Sequence, residues 1–342
     1  MTSFANAKTL TLSGIVLATL AVSGAFVCGM EESPDHHFGM AVEFTDHATA
    51  AFVAQEMGWY EQRGIRLASY ESYATGMALA SALARGDIQA AYICLVPAIS
   101  AYANAGVQIK IVAGTHRYGY GLVVDPQVVT RVEDLAADGV RTGCVREGGA
   151  VDVLMNRAID RYGLDRQLIL GRVRRMNPSK LLLAIQTGRL DAGFLPEHWA
   201  SLAEDFGFQM LLTAQDIWPG MLGSVLVVKD ELARENPDIV RALVAVNDEA
   251  TEWINDHPHE AANTLARVLS LMGDTDRTAR AGGLSQKPGV NEAAMLRSMD
   301  RLDYTTTISP DEVQEVIDYL ARLGYIDDPF AAEEILALEA KR

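Results

Sequence analysis

Basic residues are scarce in this chain: 29 Lys and Arg stand against 45 Asp and Glu, a formal charge of −16 over 342 residues. A nucleic-acid partner needs a basic face to neutralise phosphates, so this balance argues against one. It does not argue against a small anion, because a buried site can hold one at helix N-termini while the surface stays negative. Cysteine is sparse too, with only Cys28, Cys94 and Cys144. Cys94 and Cys144 lie in apolar, strand-like contexts, where a buried free thiol is expected ahead of a disulfide. The seven histidines are scattered, with no paired cysteines and no His-x-x-x-His spacing, so neither a metal centre nor another cofactor is expected. No P-loop, nucleophile elbow or Ser-His-Asp set can be read, and an enzyme is not expected.

What the chain does have is apolar material, 49 % of residues against 22 % charged, which is the composition of a globular protein. Part of it is concentrated at the start. Lys8 and the amino terminus precede an apolar run from Leu10 to Val27 that ends at Cys28, the layout of a secretory signal. Residues 1–28 are therefore expected to direct export, with Cys28 as a lipidated first residue. The alternative is an uncleaved anchor, since about 18–20 apolar residues span a bilayer. Either way the remainder lies outside the cytoplasm, held to the membrane through residues 29–38, a polar tether around Glu31, Glu32, Asp35, His36 and His37.

The rest is too long for one ordinary core and suggests two lobes. Short apolar runs alternate with helical patterns, which predicts an α/β fold around mainly parallel sheets. Strands are expected at 40–44, 65–70, 87–95 and 109–113, with helices at 49–63, 76–84 and 97–104 between them. Two later strands look alike, Tyr120 to Asp125 and Ser224 to Asp230, and bracket a second α/β block. Within it strands are expected at 139–145, 171–176 and 190–195, and helices at 150–162 and 178–186. The lookalikes read as crossings, giving a first lobe over 39–120, a second over 121–223, and a return over 224–342 with four helices at 237–256, 259–271, 292–302 and 310–323.

Several stretches carry a resemblance. His47 to Ile65, with Gly58-Trp59-Tyr60 and Gly64 inside it, resembles the opening of the nitrate, sulfonate and taurine family of binding proteins, which also includes carriers of thiamine-precursor pyrimidines. Tyr73-Ala74-Thr75-Gly76 through Gly86-Asp87-Ile88-Gln89-Ala90-Ala91 is similar to that family's loop, helix and following strand. Gly188-Arg189-Leu190-Asp191-Ala192-Gly193 repeats the device in the second block. The resemblance covers residues 39 to 270. It implies the two-lobed type 2 periplasmic-binding-protein fold with a ligand cleft between the lobes, and a partner permease and ATPase in an ABC importer. The start of the helix at 150 reads Arg146-Glu147-Gly148-Gly149-Ala150, where relatives often place Ser or Thr after Gly. Enzymes that make the thiamine pyrimidine share the fold but carry a cysteine-rich motif that this sequence lacks, and a receptor's sensor lobe needs an output module.

In such a fold strand C-termini and helix N-termini face the cleft. That selects Asp46, His47 and Thr49, then Ala74, Thr75 and Gly76, then Leu95, Val96 and Pro97 in the first lobe. In the second it selects Arg146, Gly148, Gly149 and Ala150, with Glu197, His198 and Trp199 after the last strand. Arg146 and Arg117 suit a small oxyanion. Trp199, Tyr118, Tyr120, Trp218 and Glu197 suit a flat heterocycle, the carboxylate accepting ring amino hydrogens. The anion is the leading expectation, and each candidate has a structural alternative: Thr49 as a helix cap, Gly148-Gly149 as a turn, Trp199 as core.

Overall fold

The computed structural model describes residues 37–273 and 289–341. The apolar run before Cys28, and Cys28 itself, lie outside them. Among the described residues no helix is long and apolar enough to cross a membrane.

The chain begins with β1 (His37–Glu43), α1 (Thr49–Glu56), α2 (Trp59–Gln62), β2 (Arg66–Tyr73), α3 (Gly76–Arg85), β3 (Ala90–Cys94), α4 (Leu95–Ala105) and β4 (Ile109–Tyr118). Local chemistry sets these limits. Thr75 caps α3 by accepting a hydrogen bond from the Ala78 amide, and Gly86 closes it in the left-handed conformation at φ 82°. The single helix expected over 49–63 is two helices, because Gly58 sits at φ 68° and stops α1 before α2 begins.

A second group follows: β5 (Tyr120–Val124), β6 (Thr142–Cys144), α5 (Ala150–Arg161), α6 (Arg166–Arg172), β7 (Arg174–Arg175), α7 (Pro178–Gln186), β8 (Ala192–Pro196), α8 (Glu197–Glu204), β9 (Gln209–Thr213) and α9 (Ala214–Ile217). The strand expected over 171–176 shrinks to two residues. The Asp165 carboxylate accepts from the Leu168 amide and starts a helix that runs to Arg172. The chain then returns through β10 (Leu222–Lys229) to α10 (Asp230–Glu235), α11 (Pro237–Asp256), α12 (Pro258–Gly273), the helix Glu292–Met299, β11 (Leu302–Asp303) and the helix Pro310–Arg322.

Two sheets result, one ordered β11-β4-β10-β3-β1-β2 and the other β7-β6-β8-β5-β9. β1 runs parallel to β2 and β3 as expected. β4 does not join β3, because β10 inserts antiparallel between them, with Ser224 opposite Cys94 and Leu222 opposite Arg117. The lookalike strands thus belong to different sheets. The central strands are buried on both faces, and the period of two assigns alternate residues to two cores. Ala91, Ile93, Val225 and Val227 pack with α3 and α4 on one side. Ala90, Tyr92, Leu226 and Val228 pack with α1, α11 and α12 on the other.

The passage from the first sheet to the second is made at Tyr118 and Gly119, with φ of 66° and 94°; Tyr118 is the one non-glycine residue at positive φ among those described. The returning strand lies alongside, since the Tyr118 amide donates to the Met221 carbonyl at 2.9 Å.

Candidate functional site

The C-terminal ends of β1, β2 and β3 in one sheet and of β6, β7 and β8 in the other open onto a single cavity of ≈ 590 Å³. The first sheet's side contributes Glu43, Thr45, His47, Ala74, Thr75, Gly76, Met77, Cys94 and Pro97. The other contributes Tyr120, Val145, Arg146, Glu147, Gly149, Ala150, Arg175, Met176, Asn177 and Pro196. Three helices of eight or more residues begin at its wall, α3 at Gly76, α5 at Ala150 and α7 at Pro178. Thr75 and Asn177 cap the Ala78 and Lys180 amides of α3 and α7, and the remaining first-turn N–H groups and the positive dipole ends of the three helices lie at the cavity wall.

The floor is polar and closely bonded. Glu43 is 4 % exposed, and its Oε2 accepts from the Cys94 amide at 2.6 Å. Its other oxygen crowds residue 76, where a Cβ would stand 2.7 Å from Oε1 and 2.7 Å from the Pro97 ring, so that any side chain there displaces the floor. His47 is buried beside it, with Nε2 2.8 Å from the Gly119 carbonyl and Nδ1 3.0 Å from Cys94 Sγ. A carbonyl only accepts, so Nε2 carries the hydrogen and Nδ1 faces the thiol. The Tyr120 hydroxyl lies 2.9 Å from the same sulfur and 3.2 Å from the Gly223 carbonyl. Burial first, then the Glu43 carboxylate, pushes the Cys94 thiol well above its ordinary range.

The rim differs in charge. Arg146 and Glu147 are exposed on the loop before α5. Arg175 is tied to Asp152 at 2.5 Å and to the Val145 carbonyl at 3.0 Å, so most of its charge is spent within the wall. Arg146 enters no ion pair among the described residues and faces the cavity unneutralised.

Of the residues selected from sequence, His47, Ala74, Thr75, Gly76, Pro97, Arg146, Gly149 and Ala150 come together at this cavity. Thr49 does not. Its hydroxyl donates to the Asp46 carbonyl at 2.6 Å at the foot of α1 and accepts from Tyr304. Val96 points into the core beneath α4. Gly148 lies on the outer side of the loop and takes the left-handed turn at φ 78°, whereas Gly149 is extended at φ −85°.

Glu197, His198 and Trp199 are also corrections. They open α8 rather than follow a bare strand end, and the helix turns them away, leaving Pro196 at the cavity. His198 Nδ1 donates to Asp46 Oδ1 at 3.1 Å, while Ser298 Oγ donates to Asp46 Oδ2 at 2.5 Å. Burial alone would push the Asp46 carboxyl up, but electrostatic attraction to His47 and His198 and the hydrogen bonds from His198 and Ser298 hold it well below the usual carboxylate range. Glu197 is fully buried, accepts from Arg301 at 3.0 Å, and has an Oε2 without a partner. Arg301 is committed to Glu204 through two bonds of 2.8 and 3.0 Å. Burial therefore prevails at Glu197 and raises its carboxyl to about 8. Trp199 packs against His198, ring centroids 5.0 Å apart. Trp218 is core, edge-on to Tyr319, and Arg117 is paired with Glu312 and Asp303.

The site residues that sequence reasoning missed are chiefly Glu43, Cys94 and Arg175. Each sits at the last position of its strand, and the strand limits were read one to several residues off.

Two lobes' worth of sheet with one cavity at facing strand ends is the periplasmic-binding-protein fold. Known structures share it. The alkanesulfonate-binding protein SsuA from Xanthomonas axonopodis pv. citri, bound to MOPS, has a TM-score of 0.71 at 17 % identity over 88 % of this chain and 98 % of its own. The nitrate-binding protein NrtA from Synechocystis has a TM-score of 0.69 at 15 % identity over 89 % and 86 %. Among curated sequences, a Brucella abortus protein named for binding but for no particular ligand is 26 % identical over 232 residues, 64 % of this chain and 67 % of that protein. Residues 30–270 match the model of the NMT1-like family, and the chain belongs to that family.

Proposed function

We propose that this protein is the extracytoplasmic substrate-binding component of an ABC importer, a carrier and not a catalyst, which captures a small organic anion in the cavity between its sheets. The observation that carries the reading is convergence: the N-termini of α3, α5 and α7 and the unpaired Arg146 meet at one cavity from both sides. A sulfonate, carboxylate or similar oxyanion is the ligand this arrangement favours, in keeping with the sulfonate and nitrate ligands in the names of its structural neighbours. The run ending at Cys28 serves export and lipid attachment in this reading, and the lobes close by rotation about the passages at 118–119 and 218–221.

One observation favours a second ligand class. The buried Glu43 carboxylate at the floor accepts hydrogen bonds and repels anions, so it suits a ligand with an amino group there, such as an aminopyrimidine. A thermal-shift and calorimetry series with alkanesulfonates, taurine, nitrate and aminopyrimidines separates the two. A ligand at 100 times its Kd adds about 2.7 kcal/mol of stability. Binding of sulfonates that weakens about tenfold in Arg146→Ala and with rising salt supports the anion. Binding of neutral aminopyrimidines alone, indifferent to Arg146→Ala, overturns it in favour of the heterocycle.

A further inference from the structure

The floor of the cavity is built from three residues far apart in the chain, Glu43 at the end of β1, His47 in the turn after it, and Cys94 at the end of β3. One carboxylate oxygen, one imidazole nitrogen and one sulfur all lie within 4.8 Å of one another. All three side chains are buried, and all three line the cavity.

We propose that Glu43, His47 and Cys94 bind a divalent cation of the borderline-soft class, of which zinc is the type, in addition to the small molecule that the cavity takes. The donor set selects the class: sulfur and imidazole nitrogen exclude the hard cations magnesium and calcium, which prefer oxygen throughout. Three protein donors leave a tetrahedral ion one open position, which a small molecule could reach here because all three donors line the cavity. The histidine is already set for the task. Its Nε2–H is held by the Gly119 carbonyl at 2.8 Å, the outer hydrogen bond that orients a metal-ligating imidazole, and this leaves Nδ1 on the side of Cys94. The sulfur has its own outer partner in the Tyr120 hydroxyl at 2.9 Å.

The fit requires little movement. With bonds of about 2.3 Å to sulfur and 2.0–2.1 Å to nitrogen, Nδ1 and Sγ stand roughly 3.5 Å apart around a tetrahedral ion. In the structure they are 3.0 Å apart, so the pair opens by about half an ångström. On binding, the Cys94 thiol proton leaves to solvent and its place between sulfur and Nδ1 is taken by the metal. The sequence concealed this group because no spacing motif links 43, 47 and 94.

The test is a cobalt(II) titration of the full chain followed by its absorption spectrum, with zinc competing. One equivalent of cobalt giving a sulfur-to-metal charge-transfer band, displaced by zinc, is the expected result. The band should vanish in Cys94→Ser and persist in Cys144→Ser and Cys28→Ser. Glu43→Gln keeps an acceptor for the Cys94 amide, so it preserves the local fold while removing the charged donor; it should weaken the metal at least about 100-fold, and Tyr120→Phe about 10–100-fold. Absence of the band in a protein of native circular dichroism, or equal metal affinity in Glu43→Gln, overturns the proposal. Because the titration is read without small-molecule ligand, it stands or falls separately from the importer reading.

Discussion

Asp46 is the strongest test of how the buried polar groups hold the sheets together. Replacing it with Asn removes a charge that His198 and Ser298 bond from two directions, with His47 3.6 Å away. Hydrogen bonds to a charged group contribute about 1.5–3 kcal/mol each. The amide retains one acceptor and brings a donor that meets either the His198 N–H, which cannot accept, or the Ser298 hydroxyl, which must reverse its bond. In both cases the charge that both groups bond is lost in a fully buried site. The loss expected for breaking such a buried set is about 3–5 kcal/mol, a hundredfold or more in the folding equilibrium. Urea unfolding should show the midpoint falling with an unchanged slope. The pH dependence has a definite sign. The folded carboxyl is held below its ordinary value of 3.8, so its contribution is full above that pH and is lost on acidification below it; Asp46→Asn should remove that acid-side loss. A destabilisation under 1 kcal/mol, or an unaltered acid limb, refutes the reasoning.

Glu197 has the opposite sign: its carboxyl is raised from 4.5 to about 8, so the neutral form stabilises fully below pH 4.5 and stability is lost as pH climbs to about 8, by at most about 1.4 kcal/mol per unit. Glu197→Gln should flatten that slope in unfolding curves at pH 5 to 8, and an unchanged slope counts against a neutral Glu197. Gly76→Ala places a methyl 2.7 Å from Glu43 Oε1; the floor must shift, and calorimetry should read ligand affinity lower by about tenfold while the fold persists, whereas wild-type affinity removes Glu43 from the site. Trp199→Ala should cost about 1–3 kcal/mol of stability and leave ligand affinity unchanged; a large affinity loss would place Trp199 at the cavity after all.

Much of this architecture was legible because its signals are local. Thr75, Gly86, Asn177-Pro178 and Asn236-Pro237 mark helix ends that the structure reproduces to within a residue. Non-local pairing was not legible: nothing in Leu222–Lys229 announces that it inserts between β3 and β4. The same divide runs through the site. Ala74, Thr75, Gly76 and Ala150 were found because helix starts are visible in sequence. Glu197 and His198 were misplaced because the turn of α8 carries them to partners a hundred or more residues away, Arg301 and Asp46. Glu43 reads from sequence as an interior position of the strand expected over 40–44, and only the fold, by ending β1 there and closing Gly76 and Cys94 around it, marks it out.

The bond between His47 Nε2 and the Gly119 carbonyl joins the floor to the passage between the sheets. Gly119 follows Tyr118, whose amide is fastened to Met221 on the returning strand. The imidazole that lines the cavity is therefore joined to both chain passages between the sheets. In the proposed closure a molecule that tilts this imidazole would pull on those passages, so that occupancy would be converted into a change of shape legible from outside without contact with the cargo.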